Sequence, residues 1–517
     1  MKKYLFIFFI LPLFSYSQWS DSISFPNKLY FIDFLNSSEN SFSLDSTKFG
    51  STELQYQSFS TKGQMIDIEH TQKLTDYLSY DLDIRKFSQE GVFSREALKL
   101  YDVKSNVSFH NMKSTYNFDA ILSYQKIRMD ENGGIIDYAV EDYDDPLLYQ
   151  TNLISSENYS KNRFHSISQN FNFTDKWSVI NEFSILKAHR VYRDNDLTAN
   201  FYEYNYIDSL STNDSLFYSL ITNSIGLKYA DFSVSHILQR RHNFIHFIDS
   251  TDVYNGIEFT YKNLDRRLSA RFKAFDSSQF DFTLSKIFEN KKSKHFLSVE
   301  ANRLRIPIFY NRFYSNHFIY NNEFNQETRQ RFNYQFRTKH FKFLTTLNNF
   351  TNYIYLNENA SYFQNSSSII HFDNIVSLGW KLLNLHASNT FQYQWSNNSY
   401  ILRYPDINTT FSLWFQDAFF DDLLDFKIGA KVNYFTPYYA KLYNPALASF
   451  QLQNNQEIGA LPFISSFITF QVHSMNINIQ FLNLNELISN SPHYFMPNYP
   501  SQPTAVKFSL LWKLQNN

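Results

Sequence analysis

The residues best suited to chemistry are a histidine–arginine cluster, an acidic run and a series of charges spaced two apart. His236, His242 and His246 surround Arg240 and Arg241. Three imidazoles could ligate a transition metal, and paired arginines could hold an anion. Even spacing places the three histidines on one face of an unbroken strand. A strand rim running into an outer loop, with His and Arg solvated, explains the same spacing more simply, so no metal ligand is assigned. Asp137, Glu141, Asp142, Asp144 and Asp145 form the acidic run, which stops at Pro146. Such carboxylates serve in constriction loops and divalent-cation sites. Their spacing lacks the regularity of an EF-hand, and an outer loop kept wet by its own repulsion is the simpler account.

Enzyme chemistry finds no foothold. The chain contains neither a Gly-x-Ser-x-Gly elbow nor a His-Glu-x-x-His helix, and with Gly 10 it has no phosphate-cradling loop. Cys 0 removes disulfides, thiolate metal sites and a cysteine nucleophile. A net charge of −2 gives no reason to expect a nucleic-acid partner. No catalytic residue, metal or cofactor is assigned.

The third group of charges is the most informative. Arg267, Arg271, Lys273, Arg331, Arg337, Lys342, Lys427, Lys431 and Lys507 each stand opposite the apolar positions of a local two-residue period. Asp81, Asp83, Asp119, Glu182 and Asp281 do the same with the other sign. On strands of a barrel these positions would line the lumen, where charge rings bias which ions enter. The basic excess among them motivates a weak anion preference; a hydrated interior whose charges pair across it is the alternative.

The elements that must position these charges are strands. Phe426, Ile428, Ala430, Val432 and Tyr434 alternate with Lys427, Lys431 and Asn433, and Tyr116, Phe118, Ala120, Leu122 and Tyr124 alternate with Asn117, Asp119 and Ser123. Similar runs recur along the chain, each roughly 9–12 residues long, the length of a tilted membrane strand. Mean hydropathy is −0.41 despite 19% aromatic residues, too polar for a helical membrane protein but compatible with a barrel that shows lipid every second residue. No uninterrupted apolar run of about 18 residues follows the N-terminal segment. Short polar turns near Thr75, Lys113, Thr174, Ala230, Asn263, Asn290, Thr338 and His473 alternate with longer connections around 129–162, 190–218, 304–328, 351–367, 437–462 and 486–503. The alternation predicts an all-β, transmembrane, antiparallel up-and-down β-barrel of about 22 strands (range 16–24) with both termini on the periplasmic side. Trp177, Trp380, Trp414 and Trp512 fall near short turns or the C-terminal end, as an interfacial girdle requires.

At the N-terminus, Lys2 and Lys3, the apolar run Tyr4 to Phe14 and the small end Ser15-Tyr16-Ser17 read as a cleaved signal peptide, residues 1–17. Residues 18–50 read as a periplasmic or lumenal lead-in, and 51–517 as the barrel. The final strand puts Val506, Phe508, Leu510, Trp512 and Leu514 on one face, with Lys507, Ser509 and Lys513 on the other. It should pair with the first strand, because no open edge survives in lipid.

Three groups of residues carry a family resemblance. They are Tyr77–Arg85 followed by Glu90-Gly91; Glu131-Asn132-Gly133-Gly134-Ile135; and Gly459-Ala460-Leu461-Pro462-Phe463 with His493-Tyr494-Phe495-Met496-Pro497-Asn498-Tyr499-Pro500 before the last strand. In order and content the chain resembles the "putative porin" family of Gram-negative outer membranes. Tyr499-Pro500-Ser501-Gln502-Pro503 departs from the Gly-containing Tyr-Pro-x-Pro run of many relatives.

The resemblance implies a pore-forming barrel that passes small hydrophilic solutes by diffusion. Its expected partners are outer-membrane lipid and lipopolysaccharide, the barrel-assembly machinery and the solutes themselves. A non-enzymatic surface or secretion-complex scaffold and a barrel hydrolase are the other readings. The lead-in before Glu53 is too short for a folded plug, which argues against an active TonB-linked transporter.

Overall fold

The computed structural model describes residues 50–60, 62–136, 145–197, 201–276, 278–421, 423–487 and 493–515. The expected signal peptide, most of the lead-in, and Asp137, Glu141, Asp142 and Asp144 lie outside the described residues.

Twenty-two strands form one closed sheet. In chain order they are β1 Ser51–Phe59, β2 Gly63–Lys73, β3 Leu78–Gln89, β4 Leu98–His110, β5 Tyr116–Glu131 and β6 Ser156–Asn172. Next come β7 Trp177–Asp194, β8 Thr212–Tyr229, β9 Phe232–Ile245, β10 Ile248–Asn263, β11 Leu268–Phe275 and β12 Phe280–Glu289. The third stretch is β13 Lys294–Leu304, β14 Glu327–Arg337, β15 Phe341–Thr351, β16 Ile369–Leu382 and β17 Leu385–Ser396. The last five are β18 Ile407–Phe419, β19 Leu424–Phe435, β20 Phe463–Val472, β21 Met475–Leu482 and β22 Ala505–Gln515. Each pairs antiparallel with its sequence neighbours, an up-and-down meander. β22 closes on β1, from Ser51 opposite Gln515 to Phe59 opposite Lys507.

The period of two sorts the side chains. Outward positions are apolar and exposed, as at Leu227 (55%), Phe259 (49%) and Leu413 (41%). Val506, Trp512 and Leu514 belong to the same outward face, while Lys507 is buried inside. Lys513 reaches across the closing seam to Glu53 at 3.3 Å. Strand β22 continues one residue past its apolar end to Gln515, which adds a rung to the seam.

One end of the barrel carries only tight turns, at 74–77, 111–115, 173–176, 230–231, 264–267, 290–293, 338–340, 383–384, 420–423 and 473–474. The other end carries the long connections 132–155, 195–211, 305–326, 352–368, 436–462 and 483–504. Both described termini lie at the tight-turn end. Short outer turns at 60–62, 246–247 and 276–279 interrupt the alternation. Strands β5 to β8 run 16 to 18 residues, longer than the sequence periods suggested, so one side of the wall stands tall.

Trp177 and Trp380 face outward near the tight turns, and Trp177 packs on Tyr229 at 4.8 Å. Trp414 does not join this girdle. It shares the inward face with Gln416 and stacks on His386 at 5.3 Å, because its even register in β18 opposes His386 and Gly429.

Trp512→Asp would place a carboxylate on the outward face beside the seam, close to the tight-turn rim, at a cost below the about 2–4 kcal/mol of a Lys or Arg at mid-bilayer. The expected outcome is impaired membrane insertion, read as loss of heat-modifiable migration on a gel. Normal membrane yield would remove the role given to this strand.

Candidate functional site

The residues singled out from sequence divide by position. Asp81, Asp83, Asp119, Glu182, Arg271, Lys273, Asp281, Arg331, Lys427, Lys431 and Lys507 occupy inward registers of their strands. Asp119 accepts from Ser108 Oγ at 2.6 Å, and Arg271 pairs with Asp281 at 3.2 Å. Arg337 and Lys342 oppose one another at the tight-turn rim. Arg267 is not on a strand: it sits in the 264–267 turn with φ 48° and bonds Glu289.

Neighbouring inward positions change the charge balance. Glu53, Asp67, Glu69, Asp102 and Glu131 also point inward on β1 to β5, and Glu258 and Glu300 follow further round. The basic excess seen from sequence is thereby offset. Charge is unevenly spread, with carboxylates dominating β1 to β5 and cations dominating β14 and β15 about half the ring away, while the cations of β19 and β22 lie nearer the acidic strands, β22 directly beside β1. Arg85 is held in the acidic sector by Asp67.

The histidine cluster does not converge. His236, Arg240 and His242 face outward on β9, whereas Arg241 faces inward over the Tyr254 ring. His246 lies in the turn with φ 47° and bonds Asp214 at 2.8 Å. Among the described residues no group of His, Asp and Glu is placed to hold a metal ion. Asp145, the described end of the acidic run, caps a short 3-10 turn by accepting from Leu147 N.

What the structure brings together is a clasp of loops across the outer mouth. Connection 436–462 folds inward as a hairpin, Leu442–Asn444 with Ser449–Gln451, and lays its Pro445-Ala446 tip on the tall wall. There Arg190, buried on β7, donates to Pro445 O and Ala446 O at 2.8 Å each and to Asn158 Oδ1 at 2.7 Å. Asn158 in turn donates to Glu131 at 2.7 Å, which also accepts from Tyr443 OH at 3.0 Å. Burial holds the Tyr443 phenol well above its ordinary range, so it remains a donor. Guanidinium, amide, carboxylate Oε1 and phenol thus hydrogen-bond to one another in a buried pocket, where losing a member would be costly.

Other connections lock onto this one. The 352–368 hairpin joins the 436–462 hairpin through Leu356 beside Gln451, forming a four-stranded sheet. Tyr320 OH from 305–326 donates to Ala360 O, and a shared apolar cluster includes Ile306, Tyr310, Phe313, Leu356 and Tyr362. Tyr202 stacks on His317 at 4.0 Å and accepts from Ala446 N.

Two of the three groups that carry the family resemblance meet in the same clasp, while Tyr77–Arg85 lies along β3 from the tight-turn end. Gly134, at φ 89°, passes so close to Asn498 that a Cβ would lie 2.6 Å from the Asn498 Cβ. Only glycine fits there. Ile135 N donates to Asn498 O at 2.8 Å, and Asn498 N donates to Gln456. Phe463 stacks on Phe495 at 3.9 Å. Asn132 Nδ2 reaches Ser94 O, beside the Glu90-Gly91 turn. Sequence reasoning found these stretches as signatures without their mutual contact, and it missed Arg190 altogether.

A closed antiparallel barrel with an outward apolar band, aromatic rims and loops long at one end only is an outer-membrane β-barrel. Its family is equally plain. The model of the family described as "Putative porin" matches residues 23–516, and the chain belongs to that family. No curated protein matches it. Among solved structures it is similar to the FrpB iron transporter from Neisseria meningitidis, with TM-score 0.60 and 10% identity over 90% of this chain and 82% of that one. The ferric enterobactin receptor PfeA gives the same TM-score, identity and coverage. BauA, the ferric preacinetobactin receptor from Acinetobacter baumannii, gives TM-score 0.55 and 9% identity over 90% and 80%. At these identities the likeness is one of fold.

The clasp contains one titratable group suited to a pH test. Burial pushes the Glu486 carboxyl up to about 7, against the opposing hydrogen bonds from Thr504 N and Asn483. The folded state therefore binds its proton at higher pH than the unfolded state. Its contribution to stability is full below about 4.5 and is lost as pH rises toward 7. Hydrogen exchange across 493–504, corrected for intrinsic rate, should be faster at pH 8 than at pH 5, and Glu486→Gln should flatten the difference. The same pH dependence in that variant would remove Glu486 as its source.

Proposed function

We propose that the chain is a diffusion channel for small hydrophilic solutes, narrowed at its outer mouth by the loop clasp, with no catalytic role. One observation carries this reading: below the clasp the inward wall is polar, and part of its charge keeps access to solvent. At the clasp, Glu131 and Asn162 are fully buried. Closer to the tight-turn end the charged side chains of Lys104, Lys427 and Asp425 keep about a third of their exposure (31%, 32% and 33%). A polar, partly solvated wall beneath a constriction is the arrangement a water-filled passage needs. The family description supports the same reading.

Carboxylates on β1 to β5 and cations on β14 and β15, about half the ring away, set up a field across the lumen rather than along it. Such a field orients dipolar solutes without strongly favouring one sign of ion. A scaffold role would need a lumen filled to the tight-turn end. The interlocked clasp favours one further reading, a channel that opens only when its outer loops are displaced.

Single-channel recording in planar bilayers with graded neutral solutes tests the proposal. The wild-type protein should conduct, with a reversal potential near zero in asymmetric salt. Arg190→Ala leaves the Ala446 carbonyl and Asn158 Oδ1 without the guanidinium donor, at about 1–3 kcal/mol for each buried group left unsatisfied, while Pro445 O keeps Asn158 Nδ2. It should raise conductance and admit larger solutes. No conductance from either protein would exclude the channel; conductance from the variant alone would identify the gated form.

A further inference from the structure

The outward face of a barrel in lipid is apolar through the hydrocarbon and aromatic at its rims. One sector here breaks that rule. On β5, β6 and β7 the outward registers just above the apolar band hold Lys126, Lys161, Arg163 and Lys187. Lys126 stands directly opposite Lys161, and Arg163 directly opposite Lys187. Like charges in such cross-strand pairs repel and weaken the sheet unless an anion lies between them. Glu157, the nearest outward carboxylate, is taken by Arg128 at 2.7 Å and Arg193 at 3.4 Å. Among the described residues none of the four forms an ion pair. Three of them lie with the charged head over an aromatic ring: Lys161 Nζ and Arg163 Cζ over Tyr124 at 5.9 Å, and Lys126 Nζ over Tyr159 at 5.7 Å.

Height and like-charge pairing argue against ordinary solvation. Lys126 stands as many residues above Tyr116 as Trp395 stands above Leu385, so the cations sit at the level of an outer aromatic rim. On β16 to β22 the outward residues at that end are Ile370, Trp395, Tyr434 and Phe481, all uncharged. The cations are therefore at headgroup depth, and the two directly opposed like-charged pairs lie on the tall side of the wall.

We infer that this sector of β5 to β7 binds the phosphate groups of lipopolysaccharide in the outer leaflet, through Lys126, Lys161, Arg163 and Lys187. A phosphorylated saccharide offers multiple negative charges at headgroup depth, and its acyl chains would lie on the apolar band directly below, along Leu122, Ile167 and Phe183. The two opposed cation pairs make two adjacent phosphate positions. This assignment is independent of whether the lumen conducts.

The test uses the full-length protein extracted from outer membranes in mild detergent, with retained lipid read by native mass spectrometry. Wild type should retain lipopolysaccharide, and Lys161→Gln/Arg163→Gln should lower retention about ten-fold or more. Arg303→Gln, a lone outward cation on β13, should retain it normally. A second arm needs no variant. Thermal stability of delipidated wild-type protein should rise with added lipopolysaccharide but not with its dephosphorylated form or with inorganic phosphate. Absence of lipid from wild type, equal retention by the double variant, or equal stabilisation by dephosphorylated lipid would each overturn the assignment. Equal stabilisation by inorganic phosphate would do so too, by marking a free-anion site.

Discussion

In hydrocarbon, an unpaired backbone amide or carbonyl has no water to turn to, so a sheet that crosses a membrane must have no edge. The seam between β1 and β22 meets that demand, and the rest of the molecule depends on it. Closure fixes the registers of all the other strands, and register decides which side chains see lipid and which see the lumen. Lys513 and Glu53 meet across the seam because the even-numbered apolar residues of β22 are committed to lipid. A slip of one residue would exchange the two sets.

A ring of 22 strands encloses more space than its own inward side chains can fill. The outer connections occupy that space, and they obey the interior rule that buried polar groups find partners. Arg190 shows how. It reaches inward from the wall, and the carbonyls it meets belong to the tip of a loop from the far side of the ring. Apolar packing around Tyr310 and Tyr362 adds area but little direction. The polar network sets where the hairpin stops.

Much of the fold was legible because lipid imposes a strict period. Leu385, Ala387, Phe391, Tyr393 and Trp395 could belong to little else, and the tight turns near Thr174 and His473 were equally plain. The reading failed where that pressure ends. Residues 156–162 and 190–194 are strand but looked like connection, because above the hydrocarbon their outward positions turn from apolar to charged while the inward ones are polar already. With both faces wet, alternation vanishes. Arg190 was lost in that blind zone, and so was the significance of Lys161 and Arg163. Trp414 was misplaced for the opposite reason: an aromatic near a turn fits either face, and only the register with His386 decides. The clasp could not be read at all, since Gly134 and Asn498 are neighbours only after the ring has closed.

The contact between Arg190 and Pro445 spans 255 residues of sequence. Forming it requires twelve further strands, β8 to β19, to be laid down first, and the entropy of closing so long a loop is recovered only when the ring itself is complete. The order of assembly follows: wall first, mouth last. Every partly built form of this barrel is therefore unstoppered, and constriction of its outer mouth is a property of the finished molecule alone.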